Sequence, residues 1–320
     1  MTSADAPRGL VVALSGGIGG AKLALGLARV LPPGDLMVVA NTGDDFEHLG
    51  LTISPDVDTL MYTLSGLADE TRGWGRRGET WAFMEALAAL GGETWFQLGD
   101  ADLAVHVERT RRLKDGQTLS QVTRDLCRRL GVDADIVPMS DDRVRTRLKT
   151  SEGWLDFQDY FVRRRSVPSI SEIAFAGAEA ARPHADFIAA LSSPRTRAVV
   201  LCPSNPYISI GPILALPGMR EALASASAPV VAVTPIIGGQ AVKGPTAKMM
   251  AELGVSPHAA SVARLYDGLI DGFIADEADK GTDPGSSAKV VFAQTLMSSL
   301  ADRERLARTV LDVADAIARA

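Results

Sequence analysis

The chain has 320 residues, 46% of them apolar and 22% charged, enough to bury one large core or two modest ones. Lys+Arg 33 against Asp+Glu 39 leaves a net charge of −6, which gives no general electrostatic grip on nucleic acid or an anionic membrane. Any phosphate must be met by a local site. Met1 to Gly9 carries one arginine and no apolar stretch, and the longest apolar runs are only strand length. Neither an export signal nor a membrane span is expected. Cys127 and Cys202 lie far apart, so a reduced cytoplasmic protein without a structural disulfide is the expectation.

In chain order, Leu10 to Leu14 reads as a strand that ends in Ser15-Gly-Gly-Ile-Gly-Gly20. An apolar-periodic helix follows from Ala21 to Leu31, closed by Pro32-Pro33, and Leu36 to Ala40 repeats the strand pattern before Asn41-Thr-Gly-Asp-Asp45. Strand, glycine turn, helix, strand is a βαβ unit, which implies a parallel sheet. A helix from about Thr59 to Leu64 comes next, with Asp56 or Asp58 available to cap it. Trp81 to Leu90 and Leu119 to Leu130 read as helices. Val144 to Thr150 and Trp154 to Val162 alternate around Ser151-Glu152-Gly153 as a hairpin would.

The βα grammar returns with strands at Ala198 to Cys202 and Pro229 to Thr234, and more weakly at Gly272 to Ala275 and Lys289 to Phe292. Arg303 to Ala320 is an amphipathic closing helix. The fold predicted is α/β: a Rossmann-like, mainly parallel sheet with helices on both faces and an inserted α+β subdomain. Residues 1–64 and 171–320 form the nucleotide-binding core and 65–170 the insertion, all within one compact unit, since no Gly/Ser linker separates them.

Glycines between a strand end and a helix start let a phosphate approach the free N–H groups of the helix. The same residues also make a tight turn that binds nothing. Gly17-Ile-Gly-Gly-Ala-Lys22 lacks the third glycine of the dinucleotide fingerprint and the G-K-[ST] of a Walker A loop. Asp44, Asp45, Asp56 and Asp58 cluster after the second strand, where open α/β sheets bind ligands. Carboxylates beside a phosphate repel it unless a divalent cation lies between, and magnesium is the natural choice; capping is the other use of such residues. Pro203-Ser-Asn-Pro206 with Ser209-Ile-Gly-Pro212 is a stiff polar loop at another strand end, and Pro235 to Gly239 follows the next. Trp74, Trp81, Trp95 and Trp154 all fall in the insertion and suit a flat aromatic ligand or a core. Arg109, Arg111, Arg112 and the run Arg163 to Arg165 read as a solvated face. The four histidines show no zinc spacing and there is no G-x-S-x-G elbow.

Several strings resemble the 2-phospho-L-lactate transferase family of coenzyme F-420 biosynthesis: Ser15-Gly-Gly-Ile-Gly-Gly-Ala-Lys22, Asn41-Thr-Gly-Asp-Asp45, Gly50-Leu-Thr-Ile-Ser-Pro-Asp-Val-Asp-Thr59, Arg72-Gly-Trp-Gly75, Leu98-Gly-Asp-Ala-Asp102, Pro138-Met-Ser-Asp-Asp142, Pro203-Ser-Asn-Pro-Tyr-Ile-Ser-Ile-Gly-Pro212 and Pro235-Ile-Ile-Gly238. They run in family order through most of the chain, although Gly281 to Ser287 matches no motif of it. The resemblance implies a homodimeric, magnesium-dependent transferase. In that family a ribityl hydroxyl of the deazaflavin Fo attacks phosphorus of a guanosine-diphosphate-activated C3 acid (lactyl, enolpyruvyl or glyceryl), and GMP leaves. Carried over, Gly16, Gly17, Gly19, Gly20, Lys22, Asn41, Ser204, Asn205 and Ser209 hold the nucleotide. Asp45 and Asp58 hold magnesium or position the hydroxyl, and Asp45, Thr59, Asp100 and Asp102 meet Fo. The rival from another class is a non-catalytic nucleotide-sugar-binding regulator of the gluconeogenesis-factor type. An NAD-linked oxidoreductase is disfavoured by the missing glycine and by Asn41 where an acidic ribose ligand belongs.

Overall fold

The computed structural model describes residues 9–242, 244–281 and 285–319. Seven parallel strands form the central sheet: β1 (Leu10–Ser15), β2 (Leu36–Ala40), β3 (Asp135–Pro138), β4 (Thr196–Leu201), β5 (Val230–Val233), β6 (Gly272–Asp276) and β7 (Lys289–Ala293). Their spatial order is β7-β6-β5-β4-β1-β2-β3. The chain winds outward in one direction through β2 and in the other through β4, so the sheet reverses beside β1. Ligands of open α/β sheets bind at such a switch point, beyond the strands' carboxyl ends.

Alternation along the strands feeds two cores. Val11 and Ala13 of β1 face a layer made by α1 (Gly17–Val30), α2 (Pro55–Leu64), α4 (Asp100–Lys114), α5 (Leu119–Arg129) and the closing helix α6 (Leu300–Ala318), whose Leu23, Leu27, Leu60, Val122, Leu306 and Val310 are buried there. Val12 and Leu14 face the opposite layer, built by the short helices Ala185–Leu191, Met219–Ala224 and Ala259–Leu265 through Phe187, Leu223 and Val262. Each such side chain removed from water contributes about 1.5–3 kcal/mol. None of the described helices is long and apolar enough to cross a membrane.

Three smaller pieces shape the rim. Phe46–His48 and Leu51–Ile53 pair as a hairpin; Arg145–Thr150 pairs antiparallel with Gly153–Asp156 on one side and Ile170–Ala176 on the other; and α3 (Ala82–Ala89) stands near the hairpin. The expected hairpin around Gly153 is present, but its second strand stops at Asp156 and turns into a short π-helix, Asp159–Arg163. The stretch 65–170 is not wholly an insertion, because β3 within it pairs in parallel with β2 from Met37↔Asp135 to Ala40↔Pro138. Its helix α5 likewise contributes Val122 and Leu126 to the main core.

Candidate active site

At the carboxyl end of β1 the chain passes through Gly16, which is extended, and enters α1 at Gly17, whose φ of +63° only glycine adopts without strain. The helix therefore begins four residues before its apolar periodicity does. The loop after β4 packs directly on this turn. Ser204 Oγ donates to the Gly16 carbonyl at 2.8 Å and accepts from the Gly16 N–H at 3.2 Å. A Cβ on Gly19 would stand 2.4 Å from the Pro203 carbonyl oxygen, so the two loops touch backbone to backbone. Asn205 stiffens the second loop by accepting from the N–H groups of Tyr207 (2.9 Å) and Ile208 (3.3 Å).

These loops form one end of a cavity of about 670 Å³. Gly16, Gly17, Gly19, Lys22, Ser204, Asn205, Ser209 and Thr59 line it. Lys22 reaches across to donate to the Met297 carbonyl at 2.9 Å. Gly20 lies behind the wall, against Ser15 and Ser204. Asn41 is also behind it: its amide nitrogen donates to Asp56 (2.9 Å) and the Ile208 carbonyl (3.1 Å), and its oxygen accepts from Gly43 N–H at 2.8 Å. Asn41 thus braces the loops against one another.

The aspartates divide differently from the sequence assignment. Asp44 and Asp56 face the cavity; Asp45 and Asp58 do not. Asp56 accepts from the Gly17 N–H at 2.7 Å and from Asn41, both neutral donors, and burial raises its pKa to about 6. Asp44 keeps one buried oxygen without a partner, and burial, reinforced by the charge of Asp56, holds its pKa well above the usual carboxylate range. Asp45 accepts from Ser54 Oγ at 2.8 Å, and burial raises it to about 7 against the opposing pull of Arg145. Asp58 is paired on both oxygens with Arg109. The physical reason is helical: residues two apart on α2 point about 200° from one another, so Asp56 and Asp58 cannot share a face.

Asp100 and Asp102, expected to meet Fo, do not line the cavity. Asp100 caps α3, accepting from the N–H groups of Ala82 (3.1 Å) and Phe83 (3.0 Å). Asp102 is buried under Tyr62 and His106. The cavity wall also carries rings, those of Trp74, Trp95, Phe96, Phe157 and Phe161. Arg72 is held over both Trp74 (5.2 Å) and Trp81 (4.9 Å), Arg163 lies over Trp95 at 4.9 Å, and Phe157 stacks on Phe161 at 5.3 Å. Trp154 is exposed on the antiparallel sheet beside Lys149 and takes no part. Of the arginines read as solvated, Arg111 is exposed, but Arg109 and Arg112 are buried. Phe96, Phe157 and Phe161 carried no sequence signal, since isolated aromatics also fill cores.

Two buried carboxylates facing one cavity, one with an orphaned oxygen, are what a divalent cation would relieve. A doubly wound sheet that carries at its switch point a cavity lined by main chain, carboxylates and rings defines an α/β protein built to hold small molecules there. The family model described as 2-phospho-L-lactate transferase CofD matches residues 11–314. A phosphoenolpyruvate transferase of Streptomyces griseus is 42% identical over 96% of this chain and 99% of its own length. A 2-phospho-L-lactate transferase of Methanospirillum hungatei is 39% identical over 94% of this chain and 99% of its own. A solved structure from Bacillus halodurans, a UPF0052 family member, has a TM-score of 0.61 with 13% identity, covering 96% of this chain and 100% of that one, and so shares the fold. The chain belongs to the CofD family of transferases.

Proposed function

We propose that this protein joins a phosphorylated C3 acid to the deazaflavin Fo, taking it from a guanosine-diphosphate-activated donor, on the way to coenzyme F-420. The observation that carries the reading is one cavity with two kinds of wall: main-chain and hydroxyl groups around the start of α1 suit a diphosphate, and rings suit a flat heterocycle. A terminal ribityl oxygen of Fo bonds to the phosphorus that bears the acid. The bond from that phosphorus to the bridging oxygen breaks, GMP leaves, and the hydroxyl loses its proton. Attack at phosphorus needs alignment and neutralised charge more than covalent chemistry.

The chain's groups take these tasks in turn. The first-turn N–H groups of α1, Lys22, and the loop bearing Ser204, Asn205 and Ser209 bind the diphosphate and nucleoside. Asp56 is the anchor for magnesium, which when bound offsets charge on the non-bridging oxygens. Asp44, which lines the cavity close to Asp56, accepts the hydroxyl's proton. The aromatic wall holds the ring of Fo and keeps water from the phosphorus.

The test is mass spectrometry of the product formed from Fo with magnesium and each activated acid in turn: lactyl, enolpyruvyl and glyceryl. One donor should add its phospho-acid mass to Fo with release of an equal amount of GMP. Mass gain without GMP overturns the chemistry, and no gain with any donor, together with tight binding of a UDP-sugar, favours the regulator. Sedimentation of the same sample tests the homodimer expected from the family.

A further inference from the structure

The interface between α2 and α4 is charged where helix packing is ordinarily apolar. Asp58 and Tyr62 of α2 meet Asp102, His106 and Arg109 of α4, and all five are buried, Arg109 to 1% exposure. Ligand atoms of Asp58, Asp102 and His106 lie within 4.8 Å of one another, a spacing that admits a metal ion. Arg109 already supplies the cation, because its guanidinium engages both oxygens of Asp58. It also donates to the Thr52 carbonyl at 3.4 Å. A bidentate fork of this kind fixes direction as well as distance, which a compact ammonium does not.

Arg109 therefore grips both ends of the segment from Thr52 to Asp58. Inside that segment lie Ser54, which holds Asp45, and Asp56, which reaches the Gly17 N–H and Asn41. An ion pair buried this deeply contributes little net stability compared with apolar packing, while removing one partner leaves a buried charge uncompensated. Its return is in geometry. We propose that Arg109 is a positioning residue for the transfer: it touches no substrate, and by clamping Asp58 and Thr52 it aims Asp56 at the mouth of α1. This rests on the reading of Asp56 given above.

The test compares Arg109→Met and Arg109→Lys with the unaltered protein in three measurements. GDP titration should give affinities within about threefold, while kcat for Fo falls about thirtyfold or more in Arg109→Met and less in Arg109→Lys, since the ammonium restores the charge but not the fork. Amide hydrogen exchange, measured without any ligand, should rise about tenfold in peptides covering 15–20 and 52–58 while β5 and β6 keep their protection. A merely structural arginine would instead raise exchange throughout, or in α4 alone. Unchanged kcat and unchanged exchange in these two peptides overturn the proposal. Should Arg109→Met fail to fold, Arg109→Lys decides on the same readings. If the unaltered protein makes no product from Fo, the proposed reaction fails, and the exchange pattern alone still judges Arg109.

Discussion

Around the start of α1 the cavity walls are main chain, held by loop-to-loop bonds such as Ser204 to Gly16; elsewhere they are rings, Trp74, Trp95 and Phe161 among them, with arginines stacked on two of them. The first wall rests on the carboxyl edges of adjacent strands β1 and β4, so its geometry is inherited from the sheet. The second rests on irregular segments and a π-helix, so its geometry depends on side chains packing on one another. The contrast teaches where tolerance should lie. A change at the sheet-borne wall distorts backbone that nothing else can supply, whereas a change at the ring-borne one removes contact area from a wall that has more.

The largest expected effect falls on the carboxylate of Asp56. Asp56→Asn should lower kcat about a thousandfold with magnesium present and leave far-ultraviolet circular dichroism unchanged, because the Asn still accepts from Gly17 N–H but no longer anchors a cation. Retained activity would move the anchor elsewhere. Gly19→Ala comes next: its methyl group would meet the Pro203 carbonyl, forcing the loops apart and weakening GDP binding about a hundredfold in calorimetry. If GDP binds normally to that variant, the nucleotide does not lie between these loops.

Asp45 sharpens the comparison from behind the wall. Its pKa in the folded chain is about 7 against an ordinary 3.8, so between those values the unfolded chain has released a proton that the folded one keeps. Stability attributable to this group therefore falls as pH rises from about 4 to about 7 and is level above. Asp45→Asn should be more stable than the unaltered protein at pH 8 by on the order of 2 kcal/mol, with no gain at pH 4, as read from urea midpoints. A variant that is equally stable at both pH values would show that Asp45 is already charged and compensated.

Smaller again is Trp95→Ala, expected to weaken Fo about tenfold by fluorescence titration while GDP affinity stays unchanged, since a stacked ring contributes about 1–2 kcal/mol. Equal loss for both ligands would mean that the two walls are not separable. Smallest is Asp100→Ala, which removes the cap of α3 and should cost about 1 kcal/mol of stability with Fo affinity preserved.

The sheet and the α1 end of the cavity were legible because glycine runs and apolar runs alternate there as a βα unit requires. Strand β3 was missed: it is four residues long and ends in Pro138, too short to show a pattern. Helix α4 was missed for a more instructive reason. Its buried face is Asp102, His106, Arg109 and Arg112 as much as Val105, so the apolar periodicity that announces a helix is absent from the face that packs. The orientation of the aspartates was illegible at a related point. Reading α2 from Thr59 left Asp56 and Asp58 in a loop, where both can face a ligand; beginning it at Pro55 puts them on opposite sides.

The bond from Ser204 to Gly16 spans 188 residues. Everything β1 needs on that flank is made late, because Ser204 and its loop emerge from the ribosome 188 residues after Gly16. Until then the apolar strand at the amino end has one edge unpaired and the glycine turn has nothing to lean on. Growing chains must carry this exposed edge until then, and a chain stopped before Ser204 can hold several finished helices while its glycine turn is still unbraced.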